Sequence, residues 1–355
     1  MKTEHRILIG DARDLGEVAD ASVHAVVTSP PYPMIQMWDG LFCALNPAIE
    51  PALEADSMLA FELMHRELDR VWRECARVLV PGGLMCVNVG DATRTIGGQF
   101  RLFSNHTRIT SAFGQLDFTP LPDVLWRKQT NAPNKFMGSG MLPAGAYVTY
   151  EHEYVLIARK GKLRTFRSDA EKRIRRQSAF FWEERNVWFS DVWTDLKGVS
   201  QELIDRATRD RSGAFPFELP YRLIQMHSVY GDTILDPFLG TGTTMLAGLT
   251  CARSTVGFEI DPDLRDVISL STRSIVEDGN ARIDERLSAH REFVRRREEA
   301  GRASRHRNEE YGFAVVTGQE RNLVLLRPVG VEETSSGHFE ATHAVERETV
   351  AVGKK

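Results

Sequence analysis

A glycine-rich turn between a short buried strand and a helix constrains the fold of this chain more than any other feature of its sequence. Thr233 to Leu235 predicts the strand, Thr243 to Leu249 predicts the helix, and Thr255 to Glu259 predicts a second strand. The glycines between the first strand and the helix allow a sharp backbone turn. Because a strand–helix–strand unit joins parallel strands, the sequence predicts an α/β protein.

The amino-terminal part of the chain follows the same order of elements. Arg6 to Gly10 and His24 to Ser29 have the short apolar runs of buried strands. From Ser57 to Leu79 apolar residues recur at helical spacing, and Pro81-Gly82-Gly83 ends this helix before a further strand, Leu84 to Val89. Helices and strands joined by short Gly/Pro connections predict an α/β sheet.

The segments after these elements have less regular patterns. Residues 92 to 122 and 129 to 148 show little periodicity and predict surface loops, whereas Asp123 to Lys128 and His152 to Arg159 predict strands. The last residues, from about Glu332, are polar and predict a mobile end of the chain.

The composition indicates a globular chain that can bury a large core. Of its 355 residues, 42% are hydrophobic and 26% are charged. The longest apolar runs fall far short of the roughly 20 residues that span a bilayer, and the first residues lack the apolar stretch of a signal peptide. We therefore expect a cytoplasmic protein without a membrane span. The four cysteines show no C-x-x-C spacing, so we expect buried thiols and no metal site.

The charge of the chain is unevenly distributed. A formal net charge of -4 argues against a globally basic, histone-like DNA binder. Between Arg159 and Arg176, however, nine Lys or Arg residues face only two acids, a density that suits phosphate contact, with a solvated helix face as the alternative. The candidate DNA-binding residues are Arg159, Lys160, Lys162, Arg164, Arg173, Arg175 and Arg176.

The glycine-rich turn also predicts a nucleoside site. Asp236 ends the strand, and Gly240 and Gly242 let the backbone approach a ligand closely before the helix begins. Glu259, at the end of the following strand, lies 23 positions after Asp236, close to the spacing at which a carboxylate meets ribose hydroxyls. A dinucleotide site is the main alternative, but Met245 replaces the third glycine of that fingerprint. An ordinary capped turn is the other.

A second segment, Thr28-Ser29-Pro30-Pro31-Tyr32, predicts a catalytic loop at the end of a strand. The exocyclic amino nitrogen of a base is a poor nucleophile because its lone pair is delocalised into the ring. Ser29 Oγ and the Pro30 carbonyl are candidate acceptors for its protons, and the fixed proline backbone preorganises that carbonyl. Tyr32 can stack on the base. Taken in isolation, the segment favours an ordinary rigid turn, and its pairing with the cofactor turn favours the catalytic loop.

Together, these two segments resemble the signature motifs of the amino-methylating DNA methyltransferases of restriction-modification systems. The catalytic motif precedes the cofactor motif, which is the permuted order of the β class, and Phe215 to Pro220 resembles a further segment of that class. The resemblance covers residues 5 to 275. It implies a Rossmann-like S-adenosylmethionine-dependent methyltransferase fold, with a mostly parallel doubly wound sheet, circularly permuted motif order and a small target-recognition region.

The resemblance also implies roles for individual residues. His152-Glu153-Tyr154-Val155 resembles a motif of the family that lies near the base flipped out of the DNA, although a strand with one buried edge explains the pattern almost as well. Asp11 resembles the family's adenine-contacting acid, with a turn-forming Asp as the alternative. The implied catalytic residues are Ser29, Pro30, Pro31 and Tyr32, and the implied S-adenosyl-L-methionine ligands are Asp11, Phe217, Asp236, Pro237, Phe238, Gly240, Gly242, Thr243 and Glu259.

Ser rather than Asp at position 29 resembles the cytosine-N4 subgroup, so the favoured activity is methyl transfer to cytosine N4 in a DNA site. The alternatives are an adenine-N6 methyltransferase, a related enzyme acting on RNA or protein glutamine, and an inactive DNA-binding module with the same fold. The implied partners are double-stranded DNA, a cognate restriction endonuclease and a second copy of the chain as a homodimer.

The same resemblance divides the chain into four parts. Residues 1–162 form the catalytic half, 163–211 the target-recognition region, 212–279 the cofactor-binding half, and 280–355 an extension whose role the sequence leaves open. Within the recognition region we expect most of the rings of Trp182, Trp188 and Trp193 to form a small local core.

Overall fold

A computed structural model describes residues 1–128, 137–196 and 215–345. The strands are β1 (Lys2–Ile9), β2 (Val23–Thr28), β3 (Leu79–Val89), β4 (Ala92–Ile96), β5 (Gln99–Phe103), β6 (Phe118–Pro120), β7 (Val124–Arg127), β8 (Met137–Gly138), β9 (Ala146–Tyr147), β10 (His152–Lys160), β11 (Val192–Trp193), β12 (Thr233–Asp236), β13 (Ser254–Glu259), β14 (His306–Arg307), β15 (Ala314–Val315), β16 (Leu326–Ser335) and β17 (His338–Val345). The helices are α1 (Asp39–Leu45), α2 (Ile49–Ala55), α3 (Ser57–Val78), α4 (Asn105–Gln115), α5 (Asp169–Gln177), α6 (Trp182–Trp188), α7 (Glu218–His227), α8 (Thr243–Thr250) and α9 (Leu264–Glu299).

The main sheet has a parallel centre and antiparallel flanks. Its strand order is β11-β7-β10-β3-β2-β12-β13-β1-β17-β16, with β6 also paired to β10. The five strands from β3 to β1 in this order are mutually parallel. The pairs β10–β3 and β17–β1 are antiparallel. The predicted α/β class with a mostly parallel central sheet is confirmed.

Alternating side chains of the central strands pack into two separate cores, one on each face of the sheet. In β2, Val26 joins the core that includes α3 and α4, whereas Ala25 and Val27 join the core that includes α7 and α8. In β12, Leu235 joins the core with α3 and α4, and Ile234 joins the core with α7 and α8. The sheet is therefore covered by helices on both faces, which is the doubly wound arrangement.

The order of the strands reverses between β2 and β12. From β2 the chain continues to β3 on one side, and from β12 it continues through α8 to β13 on the other side. In open α/β sheets, such a reversal leaves a crevice beyond the carboxyl ends of the two strands, where ligands bind. The fold thus places a candidate site where the two signature segments begin.

The carboxy-terminal extension is built into the same sheet. The helix α9 runs across the boundary between residues 279 and 280, and the hairpin β16–β17 pairs with β1, for example His5 with Phe339. His343 Nε2 lies 2.8 Å from the Leu249 carbonyl oxygen. The prediction of a mobile end from about Glu332 is wrong as far as residue 345, because these polar strands pair with the otherwise open edge of β1.

The described residues contain no helix that is long and apolar enough to cross a membrane. They also contain no group of three or more His, Cys, Asp or Glu residues placed to hold a metal ion. The four cysteines are free thiols, and Cys75, Cys86 and Cys251 are buried.

Candidate active site

The two signature segments meet at the carboxyl ends of neighbouring parallel strands. β2 pairs with β12, with Ala25 opposite Ile234. Thr28, the last residue of β2, donates a hydrogen bond from Oγ1 to Oδ1 of Asp236, the last residue of β12, over 2.5 Å. The structure therefore joins the candidate catalytic loop directly to the candidate cofactor turn, although the two are far apart in sequence.

The glycines of the cofactor turn are needed for two different reasons. Gly240 and Gly242 have φ angles of 56° and 87°, which side-chain-bearing residues rarely adopt. A Cβ at position 242 would also lie 2.7 Å from Ile268 Cγ2 of α9. The Gly240 and Asp261 backbone N–H groups donate to the two carboxylate oxygens of Glu259, at 2.7 and 2.8 Å. Glu259 thereby fixes the turn in place.

A cavity of about 650 Å³ opens between these segments, a volume typical of small-molecule sites. Apolar side chains of α1 and α3, such as Phe42, Leu68 and Val71, form one wall. The predicted site residues that line it are Asp11, Ser29, Pro30, Pro31, Tyr32, Asp236, Pro237, Phe238, Gly240, Thr243 and Glu259. One continuous space therefore connects the candidate catalytic loop with the candidate nucleoside turn.

Two of the predicted cofactor ligands do not line this cavity. Phe217 stacks on Tyr221, with the ring centroids 5.6 Å apart, whereas Phe215 lies in the cavity wall. Gly242 lies against Ile268, as described above. Phe215, and not the predicted Phe217, thus lines the cavity, and Gly242 supports the turn.

Asp11 lies at the cavity wall beside a fixed cation. Its Oδ1 accepts the Arg13 backbone N–H at 2.9 Å and its Oδ2 accepts Arg13 Nε at 2.8 Å. Burial opposes ionisation, but the hydrogen bonds and charge of Arg13 outweigh it and hold the pKa of Asp11 below its ordinary value. The ionised carboxylate can accept further N–H donors from a ligand.

Two other carboxyl groups of the cavity are desolvated. Burial raises the pKa of Asp236 to about 6, against hydrogen bonds from Thr244, Thr28 and the Phe238 backbone N–H. Burial also raises the pKa of Glu259. Buried acids with raised pKa values favour a ligand that brings hydroxyl donors or positive charge to them. The ribose hydroxyls and the cationic groups of S-adenosylmethionine have this chemistry, so the residues present fit that cofactor.

Buried prolines and a buried amide hold the candidate catalytic loop in place. Pro30 and Pro31 are buried. Asn105 is fully buried at the start of α4, and its Nδ2 donates to the Pro33 carbonyl oxygen at 3.1 Å and to the Gly90 carbonyl oxygen at 2.9 Å. This amide ties the loop after β2 to the loop after β3 and fixes the Pro33 carbonyl group. The proline rings restrict the backbone of the same loop further.

Three side chains that were not selected as site residues from the sequence form a polar group around the hydroxyl of Tyr32. Tyr32 Oη donates to Glu153 Oε2 at 3.0 Å and accepts from Asn88 Nδ2 at 2.9 Å. Ser29 Oγ lies 3.0 Å from Tyr32 Oη, and Lys128 Nζ donates to Glu153 Oε1 at 2.7 Å. Lys128 and Glu153 also line the cavity. Four separate segments of the chain thus supply one polar group.

The basic stretch begins at the opposite end of the central strands from Ser29. Lys160 ends β10 and donates from Nζ to the Leu79 carbonyl oxygen at the start of β3, over 2.7 Å. Arg164 forms two hydrogen bonds with Asp232, which directly precedes β12. At ~3.3 Å per residue, Lys160 is about 23 Å along β10 from Glu153. The structure does not bring the candidate DNA-binding residues to the cavity: Arg159, Lys160, Lys162 and Arg164 lie at or just after the end of β10, and Arg173, Arg175 and Arg176 lie on α5.

The helix α6 of the candidate recognition region packs on α9. Arg286 on α9 donates from Nε to Glu184 Oε1 of α6 at 2.6 Å. The prediction of a small local core is wrong for Trp188 and Trp193, because both are buried in the core that covers one face of the main sheet. Trp182 is partly exposed and packs on Phe293 of α9. Residues 197–211 of the predicted recognition region lie outside the described residues.

A doubly wound sheet with a ligand cavity at its switch point is the Rossmann-like fold of the S-adenosylmethionine-dependent methyltransferases. Within this class, the N6_N4_Mtase family of DNA methylases matches residues 23–269 of the chain. The chain belongs to this family.

Two relatives and two solved structures illustrate the similarity. The Type II methyltransferase M.MthZI of Methanothermobacter thermautotrophicus is 48% identical over 342 residues, which cover 96% of this chain and 95% of the relative. M.MjaI of Methanocaldococcus jannaschii, also a Type II methyltransferase, is 49% identical over 280 residues, covering 75% of this chain and 90% of the relative.

Among solved structures, a protein of Thermus thermophilus described as a DNA modification methylase, in complex with S-adenosyl-L-methionine, has a TM-score of 0.59 and 32% identity. The match covers 78% of this chain and 96% of that one. The cytosine-N4-specific PvuII DNA methyltransferase has a TM-score of 0.50 at 18% identity, covering 74% of this chain and 84% of that one, a likeness that shows the fold alone.

Proposed function

We propose that this protein is a Type II DNA methyltransferase that transfers a methyl group from S-adenosyl-L-methionine to N4 of a cytosine flipped out of double-stranded DNA. S-adenosyl-L-methionine is the cofactor and DNA is the substrate. The observation that carries the proposal is the single cavity shared by the Ser29–Tyr32 loop and the Asp236–Thr243 turn. Such a cavity can hold a methyl donor and an exocyclic amino group side by side.

In this proposal, the acids of the cavity hold the cofactor. Glu259 accepts the ribose hydroxyls, Asp11 accepts an N–H of the adenine, and Asp236 carries the negative charge nearest the catalytic loop. Phe215 and Phe238 add apolar contact. The cofactor supplies an electrophilic methyl group on a sulfonium, and the chain's task is to align the target nitrogen with it.

The catalytic loop holds the target base. Ser29 Oγ and the Pro30 carbonyl oxygen accept the two amino protons, which favours a pyramidal nitrogen with an available lone pair, and the Tyr32 ring stacks on the base. A base in a duplex must be extruded to reach the loop, at a cost of a few kcal/mol. Alignment of two reacting atoms can contribute roughly 7–11 kcal/mol, enough to compensate for a weak nucleophile without a strong base.

The proposal also assigns the DNA-facing surface. The flipped base enters from the carboxyl edge of the sheet, so the helix axis of the DNA lies across this edge. The region 163–211 supplies target recognition between the catalytic half (1–162) and the cofactor half (212–279). Arg173, Arg175 and Arg176 lie on α5, at the opposite end of the central strands from Ser29, so they are proposed to contact phosphates distant from the flipped base and not those beside it. A cognate restriction endonuclease and a homodimer complete the proposed cytoplasmic context.

The decisive experiment is to incubate the purified chain with unmethylated genomic DNA and S-adenosyl-L-methionine, digest the DNA to nucleosides, and identify the product by chromatography and mass. We expect N4-methylcytosine, because position 29 carries a serine hydroxyl. N6-methyladenine would overturn the base assignment and keep the mechanism. Absence of any methylated nucleoside, with the cofactor bound, would contradict the proposed activity.

A Ser29→Ala variant separates binding from chemistry in the same assay. We expect it to lose methyl transfer and to retain cofactor affinity, because Ser29 contacts the target amino group in this proposal and not the cofactor. Unchanged turnover by this variant would remove Ser29 from the reaction.

A further inference from the structure

The hydroxyl groups of Ser29 and Tyr32 form one end of a chain of hydrogen bonds that ends at the buried Glu153 carboxylate. We propose that Glu153 is a positioning residue for methyl transfer: it fixes the direction of these hydrogen bonds, so that Ser29 Oγ presents its lone pairs to the target amino group, and it receives the proton that the product loses. This inference rests on the proposed transfer to an exocyclic amino nitrogen.

The direction of the chain follows from the donors and acceptors available. Glu153 accepts three hydrogen bonds, from Tyr32 Oη, Asn88 Nδ2 and Lys128 Nζ, at 3.0, 2.7 and 2.7 Å. An ionised carboxylate has no proton to donate. The Glu153 carboxylate therefore also fixes the orientation of the Asn88 side-chain amide, because the flipped amide would turn its oxygen towards the carboxylate.

The proton of Tyr32 is committed to Glu153, which settles the role of Ser29. Tyr32 Oη has a single proton, so its contact with Ser29 Oγ at 3.0 Å leaves the serine as the donor. Asn88 Nδ2 donates to Tyr32 Oη as well. With its own proton directed at Tyr32, Ser29 Oγ offers only lone pairs to the cavity. A base amino group, which is a donor, is therefore accepted, whereas a base carbonyl in its place would find no proton.

The surroundings of Glu153 keep this arrangement in one state. The Glu153 side chain is 10% exposed and that of Lys128 is 50% exposed, so the pair connects the buried network with solvent. Tyr32 and Lys128 are the titratable groups in contact with the Glu153 carboxylate among the described residues. Burial, together with the charge of Glu153, raises the pKa of Tyr32 well above its ordinary value, so its hydroxyl remains protonated.

The same chain provides an exit for the proton released by the reaction. As the bond between nitrogen and the methyl carbon forms, the bond between sulfur and that carbon breaks and its electron pair stays on sulfur. The nitrogen then carries one proton too many. That proton passes to Ser29 Oγ while the serine proton passes to Tyr32 Oη and the tyrosine proton to Glu153. The neutral methylated base and a protonated Glu153 result, and Glu153 returns its proton to water at the side of Lys128.

The test is a double-mutant cycle between Glu153→Gln and Tyr32→Phe, measured as single-turnover methylation of genomic DNA. We expect Glu153→Gln to lower the rate at least about tenfold, since an amide donor can reverse the chain, and to leave the cofactor Kd and the DNA KM within about twofold. Because Glu153 acts through the tyrosine hydroxyl, Glu153→Gln should cause no further loss in the Tyr32→Phe background. Glu153→Asp, which keeps a carboxylate at this position, should restore part of the rate.

Glu151→Gln is the matched control, because Glu151 lies two residues away on the same segment, is more exposed and pairs only at 3.5 Å with Arg127. It should keep the wild-type rate, and thermal unfolding should confirm that each variant is folded. Additive losses in the double variant, or an unchanged rate for Glu153→Gln, would overturn the proposal while the wild type remains active. No turnover by the wild type would instead contradict the proposed function and the relay with it.

Discussion

Asp236 is an acid that the fold tolerates at a cost. It is 3% exposed, and burial raises its pKa to about 6 although Thr28 and the Phe238 backbone N–H both donate to its Oδ1. Because the pKa is higher in the folded chain than the ordinary value of 3.8, the folded state binds a proton more tightly than the unfolded state. Its contribution to stability is therefore largest below about pH 4 and is lost as the pH rises to about 6.

Asp236→Asn should consequently stabilise the cofactor-free protein at pH 7. The amide oxygen can keep both hydrogen bonds to Oδ1 without the charge, so we expect a gain of up to about 3 kcal/mol, corresponding to roughly two pKa units. Thermal unfolding between pH 4 and pH 8 should show the gain at neutral pH and little difference near pH 4. The same variant should bind S-adenosyl-L-methionine at least about tenfold more weakly by calorimetry. A cofactor-free variant less stable than the wild type at pH 7 would contradict this account.

Site residues differ in how far their place could be predicted from sequence. Ser29, Asp236 and Glu259 lie at strand ends, and Tyr32 lies in the loop after β2. Short motifs with fixed chemistry identify these residues because each role depends on local backbone geometry. Asn88 and Lys128 could not be found in this way, since their roles come from strand pairing. Tyr154 of β10 lies opposite Val89 of β3, and only this register brings Glu153 to Tyr32. The resemblance at residues 152–155 was the single signal for Glu153.

Elements with strong periodicity were predicted well, and those with polar or short patterns were not. The helix α3 and the strands β2, β10 and β12 match their predicted positions within a few residues. Residues 92 to 122 were predicted as loops, which is wrong, because they contain the hairpin β4–β5 and the helix α4. α4 buries Ile109, Ala112 and Phe113 at helical spacing, but the intervening Thr110 and Ser111 obscure the pattern. The exposed hairpin β4–β5 has too few buried positions to show an alternation.

Gly240 and Gly242 of the cofactor turn allow the effect of packing on stability to be compared with the effect of ligand contact on cofactor binding. Gly242→Ala combines an unfavourable φ of 87° with a Cβ only 2.7 Å from Ile268 Cγ2, so we expect a loss of about 2–3 kcal/mol in the free energy of unfolding. At Gly240 the nearest atom to a Cβ is 3.9 Å away, so Gly240→Ala should cost only about 1 kcal/mol. Denaturant titration would measure the stability of the two variants, and calorimetry their cofactor affinity. Because Gly240 lines the cavity, Gly240→Ala should lose more cofactor affinity than Gly242→Ala for each kcal/mol of stability lost.

The separation of the basic stretch from the cavity determines how it can affect DNA. Arg173, Arg175 and Arg176 are exposed on α5, and phosphate contacts there would be independent of sequence. Replacing all three by Ala should weaken DNA binding equally for cognate and non-cognate duplexes and reduce the slope of log K against log salt by about 2–3, with the methylation rate of bound DNA unchanged. Arg295→Ala with Arg296→Ala is the control, since both pair with Glu292 on the surface. A change of target sequence would contradict a role limited to phosphates.

The carboxy-terminal hairpin connects the far edge of the sheet with the cofactor turn. Phe339 of β17 is 2% exposed and shares one core cluster with Ile7 of β1, Leu239 of the turn and Ile268 of α9. Phe339→Ala should therefore cost about 3–5 kcal/mol of stability and weaken cofactor binding as well, because Leu239 loses its support. Val329→Ala, 56% exposed on the neighbouring strand β16, should change neither quantity. If Phe339→Ala lowered the unfolding temperature but left the cofactor Kd unchanged below that temperature, the hairpin would stabilise the sheet edge without supporting the site.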